Sequence, residues 1–538
     1  MILRAPRAAR TWLLLSGATL VAASCGRWDA PPAVASAGGA AGEGGSAGTT
    51  QAGGSGAVAG TSDGAHGGAT ELVGGNAGTG GDVAEGGREP GAAGAEALGG
   101  TSALPVPEAG AAGVVEMPEP EPEDGGLVTP GPCGFFVRYS LSSEIGTVAI
   151  VKWDIELAHL ESAEIQFGLD TSYGLVAPVD LAAKNYRTLL LGMKPSRDYH
   201  ARVVVHGDDK VCTSDDFVVT TGPVKNGLPP VTVTTFDKSR AAGGYLVSSM
   251  LSKGPAFIID ADGEYVWWSA AVGLGRSQMS WDGKTMWYGN INVQGGGGFI
   301  ASVPMDGVGI VTHREFGDPH HDFTVLPDGT VGYIEHDGSG CDRIMERWPD
   351  ESIHEIVNVH DAHGGTDGGT NKCHTNSIHY HPGDDSYTFS DLNQNAYTKV
   401  KRTGEVDWVL GGDTSYFTGD GAIWERQHGH DLIAPDRLLF FNNGKTGTPA
   451  TAVEVKLDFD TMTASRVWEY PGSGNESVIY GDVQRLDNGN TLVTYSIAGI
   501  VEEVAPDGTL VESTTFGLGG AIGYTVKRAS LYGPPPVQ

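Results

Sequence analysis

Twelve of the chain's 16 histidines lie between His313 and His430, where even spreading over 538 residues would put about four. Seven of them gather in three stretches, "DPHHDF" at 318–323, "KCHTNSIHYH" at 372–381 and "RQHGH" at 426–430. A neutral imidazole carries one nitrogen lone pair and one N–H. It can serve as nucleophile, as proton carrier, or as donor to developing negative charge. Three of these residues, His321, His374 and His428, follow one another at intervals of about 54 residues. That regularity asks what repeating scaffold carries them.

From about residue 230 to 538 a unit of strand, tight turn and strand recurs every 40–60 residues. It reads "AFIIDADGEYVWW", "FTVLPDGTVGYIEH", "TKVKRTGEVDWVLGG", "QRLDNGNTLVTYS" and "VEEVAPDGTLVES". Asp-Gly and Asn-Gly pairs supply the positive φ angles of two-residue hairpins. Many short strands at regular spacing, without helical periodicity, predict radial repetition. Units beginning near 242, 276, 320, 374, 428 and 480 make a six-bladed β-propeller, with a pair of sandwiches as the competing fold. Each of the three histidines stands near the start of a unit. Equivalent positions on successive blades converge on a central channel, so the spacing predicts three imidazoles facing one pocket. The plain alternative is that each satisfies a local turn.

Residues 131–222 alternate apolar and polar side chains in "TVAIVKW", "AEIQFGL", "YHARVVVHG" and "DDFVVTT", the pattern of half-buried strands. The run "LLLGMKPSRDYHARVVV" resembles the late strands of fibronectin type III-like sandwiches, in which a Pro-containing turn precedes a Tyr-bearing strand. The expected fold is therefore all-β, a β-sandwich at 131–222 followed by a propeller at 230–538. Ahead of both, residues 26–130 are Gly, Ala, Ser, Thr, Pro and Glu, too poor in apolar side chains to offset the entropy of ordering. Such a tether reaches ~50–60 Å by random-coil scaling.

Residues 1–25 read as a lipoprotein signal peptide. Arg4, Arg7 and Arg10 precede the short apolar run "TWLLLSGATLVAAS", and "VAASC" resembles a lipobox in which Cys25 is lipidated. Gly26 after it leans towards an outer-membrane anchor in the cell envelope. Cys133, Cys212, Cys341 and Cys373 remain, an even number suited to an oxidising compartment. Cys133 with Cys212 is the natural pair, since they bracket the sandwich. Cys341 and Cys373 either pair or stay as buried thiols. With 66 acidic against 34 basic residues and a net charge of −32, the chain lacks the basic face that nucleic acid requires. An anion site must be built locally.

The stretches "HHDFTVLPDG", "CHTNSIHYHPGDDSYTFSD", "VKRTGEVDWVLGG", "QHGHDLI…LLFFNNG" and "SRVWEYPG" follow an order that resembles the bacterial arylsulfotransferases, exported enzymes that work without the nucleotide donor PAPS. The resemblance implies transfer of a sulfuryl group from an aryl sulfate to a phenol through a sulfohistidine. It implies His428 as nucleophile, with His374 and His321 as donors and His320 as a stand-in for His321. Asn376, Asn393 and Arg426 become candidates for substrate binding, and no cofactor or metal is implied. One family residue is missing: the sulfate-gripping arginine falls at Leu392. Asn393, Gln394 or Arg426 are the residues that could compensate. Two rival readings follow. One is a propeller lipoprotein that binds ligand with weakened or no turnover. The other places a metal on the same histidines, since imidazole suits zinc or copper, although the chain has no HExxH and no CxxC.

Overall fold

The computed structural model describes residues 132–533, apart from 209, 252–253, 273–274, 291–297, 337–339, 366–372 and 518. Cys25 and the 26–130 tether lie outside them. Among the described residues the chain is all-β, with eight antiparallel sheets, and its one α-helix, Val359–Ala362, is a single turn.

The first two sheets face each other. Phe136–Leu141, Ala149–Asp154 and Thr188–Leu190 form one. Leu175–Pro178, Ser162–Gly168, Asp198–Gly207 and Lys210–Thr213 form the other, with Phe217–Thr220 paired to Asp198–Gly207. Alternation sends Ala149, Val151 and Trp153 inward, where they meet Ile165, Phe167, Tyr199, Ala201 and Val203 in one core. The Tyr199 hydroxyl accepts the Lys194 N–H at 2.8 Å and so pins the turn before its strand. A disulfide joins Cys133 to Cys212, with Cα atoms 6.1 Å apart.

Six further sheets follow, each built from strands taken in chain order. Their first strands are Tyr245–Ser249, Ser277–Met279, Pro319–Val325, Thr375–His381, Gln427–Ala434 and Asp482–Arg485. These starts lie within three residues of the repeat phase read from the sequence. Both ends of the 230–538 region take part. Val526–Arg528 adds to the first sheet beside Tyr245–Ser249, and Val231–Thr235 adds a fifth strand to the last sheet beside Leu510–Phe516.

Sharp Asp-Gly turns close the hairpins as the sequence requires. At 328–329, for example, Gly329 has φ +85° and the Asp328 carboxylate accepts the Thr330 N–H at 2.9 Å. Three buried aspartates then stitch one sheet to the next. Asp322 accepts the Ile378 N–H at 3.0 Å, Asp431 that of Arg485 at 2.9 Å, and Asp482 that of Thr525 at 3.0 Å. Ile378 and Arg485 lie in the neighbouring first strands and Thr525 just before Val526–Arg528 of the first sheet, and each has its backbone donor satisfied this way.

Candidate functional site

The three histidine stretches meet where three first strands begin, and each beginning is irregular. Register slips between Pro319 and Phe323, between Thr375 and Ser377, and between Gln427 and His430. His321 itself has φ +57°. A bulge breaks the strict alternation of side chains and re-aims one of them. Here it turns His321, Asn376 and His428 out of the faces that the strands would otherwise assign.

His321 and His374 face each other with Nε2 atoms 3.2 Å apart and ring centroids at 4.9 Å. Tyr480 neighbours both His428 and His321, its ring 6.2 Å from that of His428 and 6.5 Å from that of His321. The tautomer of His428 is set by its neighbour. Asn443 Nδ2 donates to the carbonyls of Ser477 and Tyr480, so its Oδ1 is left as an acceptor, 2.7 Å from His428 Nδ1. His428 therefore carries its proton on Nδ1 and a lone pair on Nε2. Burial holds His428 down to about 3 and His374 to about 4, and the Arg426 guanidinium presses on both in the same direction. Burial, followed by the charges of His374, His320 and His428, holds His321 well below the ordinary imidazole range. His374 keeps part of its surface open, yet it faces an internal space crowded by protein and not bulk water. All three rings are neutral at pH 7.

Leu392 is buried next to this cluster, its N–H donating to the His374 carbonyl at 2.9 Å. Leu392 therefore adjoins His374 through its backbone, and a guanidinium stands nearby. Arg426, half-buried with φ +66°, is fixed by its N–H on Asn395 Oδ1 at 2.8 Å, and its charge reaches both His374 and His428. Asn376 is fully buried, donates to the Gln427 carbonyl at 2.7 Å, and accepts the Tyr524 hydroxyl on its own carbonyl. Its Oδ1 finds no partner. Asn393 lines a separate recess of about 360 Å³ with Asn395, Asp413 and Trp424, and none of the three histidines borders it. A second disulfide joins Cys341 to Cys373, the residue before His374.

Below the histidines the centre is filled by a charged layer that sequence reasoning did not find. Arg276 donates to both oxygens of Asp322 at 2.7 and 3.1 Å and to Asp482 at 3.1 Å, and it lies over the Tyr524 ring. Burial pushes Asp322 upward and Asp482 up to about 7, while Arg276 pulls both down. His379 Nε2 accepts from Arg276 at 3.3 Å. His430, the second histidine of "RQHGH", bridges Ser377 and Thr388 at 2.7 Å each, which makes it a stitch between sheets. Beyond this layer opens a cavity of about 690 Å³, bordered by His379, His381, Asp431, Arg485 and Trp281. His321, His374 and His428 do not border it. Asn443 had a signal in the sequence, since it is the asparagine of "FNNG". Arg276, in "LGRSQM", had none.

The family model described as "Arylsulfotransferase (ASST)" matches residues 342–517. No curated protein matches the chain. Among solved structures, a protein of unknown function from Bacteroides thetaiotaomicron is 14% identical, with 70% of this chain and 96% of that one covered at a TM-score of 0.33. One from Bacteroides caccae is 12% identical over 53% and 98%, at 0.37. Virginiamycin B lyase from Staphylococcus aureus is 14% identical over 52% and 87%, at 0.33.

Proposed function

Over residues 342–517 the chain is a member of the arylsulfotransferase family, and on that premise we propose that it transfers a sulfuryl group from an aryl sulfate to a phenol through His428. The observation that carries this reading is the Asn443 contact, which leaves the Nε2 lone pair of His428 free to attack. In the first step an N–S bond forms from that lone pair as the S–O bond to the aryl group breaks. The phenolate leaves with the electron pair and takes a proton from water or a neighbouring imidazole. In the second step the acceptor's oxygen attacks sulfur, the N–S pair returns to His428, and the acceptor's proton is lost to solvent.

His321 and His374 donate to the sulfuryl and leaving oxygens, stabilisation that acts where charge develops. Arg426 supplies the cation that Leu392 does not, with Asn376 as a further binding candidate; Asn393, in its separate recess, is not one. Sulfuryl transfer needs positioning more than added chemistry, as phosphoryl transfer does. The six sheets, the first and last of which each take a strand from the opposite end of the 230–538 region, support a six-bladed propeller at 230–538, and the two facing sheets support a fibronectin type III-like sandwich at 131–222. We assign the chain to the cell envelope through a lipid on Cys25. Cys25→Ala should release it from the membrane fraction, and retention at unchanged mobility sinks that assignment.

The decisive experiment is peptide mass mapping after incubation with a chromogenic aryl sulfate. Sulfurylated His428 is expected, and turnover by wild type without any modified histidine rejects the mechanism. Leu392 favours a second reading, a module that binds aryl anions without turning them over. Saturable binding without product release, for donors of several leaving groups, is its signature.

A further inference from the structure

His320, His336 and Asp342 form a second cluster beside the channel, and we propose that it binds a divalent metal ion of the zinc class, which through His320 sets which face of His321 donates. His320 Nε2 lies 3.1 Å and His336 Nδ1 3.0 Å from Asp342 Oδ1, and all three atoms fall within 4.8 Å of one another. Bonds of ~2.0–2.1 Å in a tetrahedral ion place ligand atoms about 3.3 Å apart, so the set needs only small shifts to close on a metal. The two rings are parallel, with centroids 3.7 Å apart and planes at 10°, so both nitrogens run out in one direction towards the carboxylate. Seating an ion asks one ring to turn. His336, 32% exposed against 1% for His320, is the one that can, and its exposure gives the ion an entry path. Two imidazoles and one carboxylate suit zinc and iron(II), and they leave further positions for water.

The surroundings of the cluster are those of a held ligand set. The second oxygen of Asp342 accepts the Thr375 N–H at 2.7 Å, which fixes the carboxylate plane. The Cys341–Cys373 disulfide clamps the residue before Asp342 to the residue before His374. His320 Nδ1 faces His321 Nδ1 at 2.7 Å, in the position where metal-bound imidazoles place their remaining N–H.

That last contact links the ion to the channel. Only one proton fits between two ring nitrogens at that distance. An ion on His320 Nε2 leaves His320 its proton on Nδ1, donated to His321 Nδ1. His321 must then carry its own proton on Nε2, the atom 3.2 Å from His374 Nε2. Without the ion, His320 can point an Nε2–H at Asp342, the order reverses, and His321 Nε2 holds a lone pair. The ion thus selects the donor form that sulfuryl oxygens require. This consequence rests on the proposed function; the binding of metal does not.

The test uses the full chain purified without a histidine tag, stripped of metal and titrated with Co²⁺ as a spectroscopic probe, then with Zn²⁺ in competition. One ion per chain is expected, with the visible bands of a low-coordinate cobalt site that Zn²⁺ abolishes. His336→Gln, at the partly exposed ring, should stay folded and weaken binding by more than the ~10–100-fold that loss of an outer partner costs. Asp342→Asn should do the same, and His428→Ala should bind as wild type does. Failure of wild type to bind, or equal binding by His336→Gln, overturns the site. Loss of binding in His428→Ala moves the ion to the channel histidines and overturns it equally. Turnover of aryl sulfate is scored separately, so a metal-loaded protein without turnover counts against the proposed function and leaves the metal site standing.

Discussion

The central strands differ at their two ends. Where the Pro319, Thr375 and Gln427 strands begin, His320, His321 and His374 crowd to hydrogen-bonding distance of one another, and Asn443 sets the tautomer of His428. Where the same strands end, about 690 Å³ of space opens, and several of the charged groups around it are engaged in ion pairs, such as Arg485 with Glu454 and Lys527 with Glu503. The open volume and the histidine cluster lie apart along a few residues of strand. The bulges are the physical cause. They occur at the beginnings of these strands, where they disturb the alternation of side chains and bring residues of different sheets into contact. The Gln427 strand slips a second time, between Leu432 and Ala434, where it borders the cavity.

The contrast can be broken most sharply by exchanging one residue at each end. His428→Ala should lower transfer from an aryl sulfate by on the order of 10⁴-fold or more, the scale of losing a nucleophile. Asp431→Asn at the cavity should leave the rate of the folded protein within a few-fold of wild type. Comparable losses from both, in continuous assays of phenol release, would falsify the separation. Next in size is the layer between the ends. Arg276→Met strips the partner from two buried carboxylates, and breaking such a pair costs ~3–5 kcal/mol. Denaturant unfolding should show that loss; a variant as stable as wild type means that the layer does not hold the centre together.

A smaller effect sharpens the assignment of the cation. Arg426→Ala should reduce kcat/KM by about ten- to a hundredfold, the ~1.5–3 kcal/mol of a hydrogen bond to a charged group. Leu392→Arg should recover part of it in that background, because Leu392 is bonded to the His374 backbone. Recovery that never appears, with Arg426→Ala still impaired, removes Leu392 from the site. Asn443→Ala should cost a similar amount in kcat with KM little changed, since it frees the His428 tautomer without touching substrate. The smallest effect is on pH. His428 is held down to about 3 and His374 to about 4, so both stay neutral well below the ordinary imidazole range. Lowering the pH from 8 to 5 should therefore give no break near 6.5 in kcat; a break there assigns the working histidine an ordinary, solvated environment.

The sequence made the repeat phase legible because hairpin turns are local: Asp328-Gly329 needs only its own φ angles and the next N–H. His321, His374 and His428 were legible for a related reason, since a fixed interval becomes convergence once the repeats are arranged about an axis. Arg276 was not legible. It precedes a strand of three residues, and its partners are 46 and 206 positions away, so no spacing announces them. Arg426 was legible as a residue and not as a replacement, because its approach to the imidazoles depends on a left-handed backbone at its own position. The second role of "HHDF" was hidden as well. His320 looked like a spare for His321, whereas its ring turns away to Asp342.

Completion of the first sheet by a late strand has a kinetic consequence. Val526 pairs with Val247 and Arg528 with Tyr245, so the first sheet is completed by residues made some 280 positions later. Loop-closure entropy must be met before such pairings return any stabilisation, and folds dominated by them form slowly. Until residue 528 has emerged, the Tyr245 strand offers an unpaired edge on which other chains can add. A chain stopped anywhere before its last dozen residues should therefore aggregate even with all three channel histidines already made.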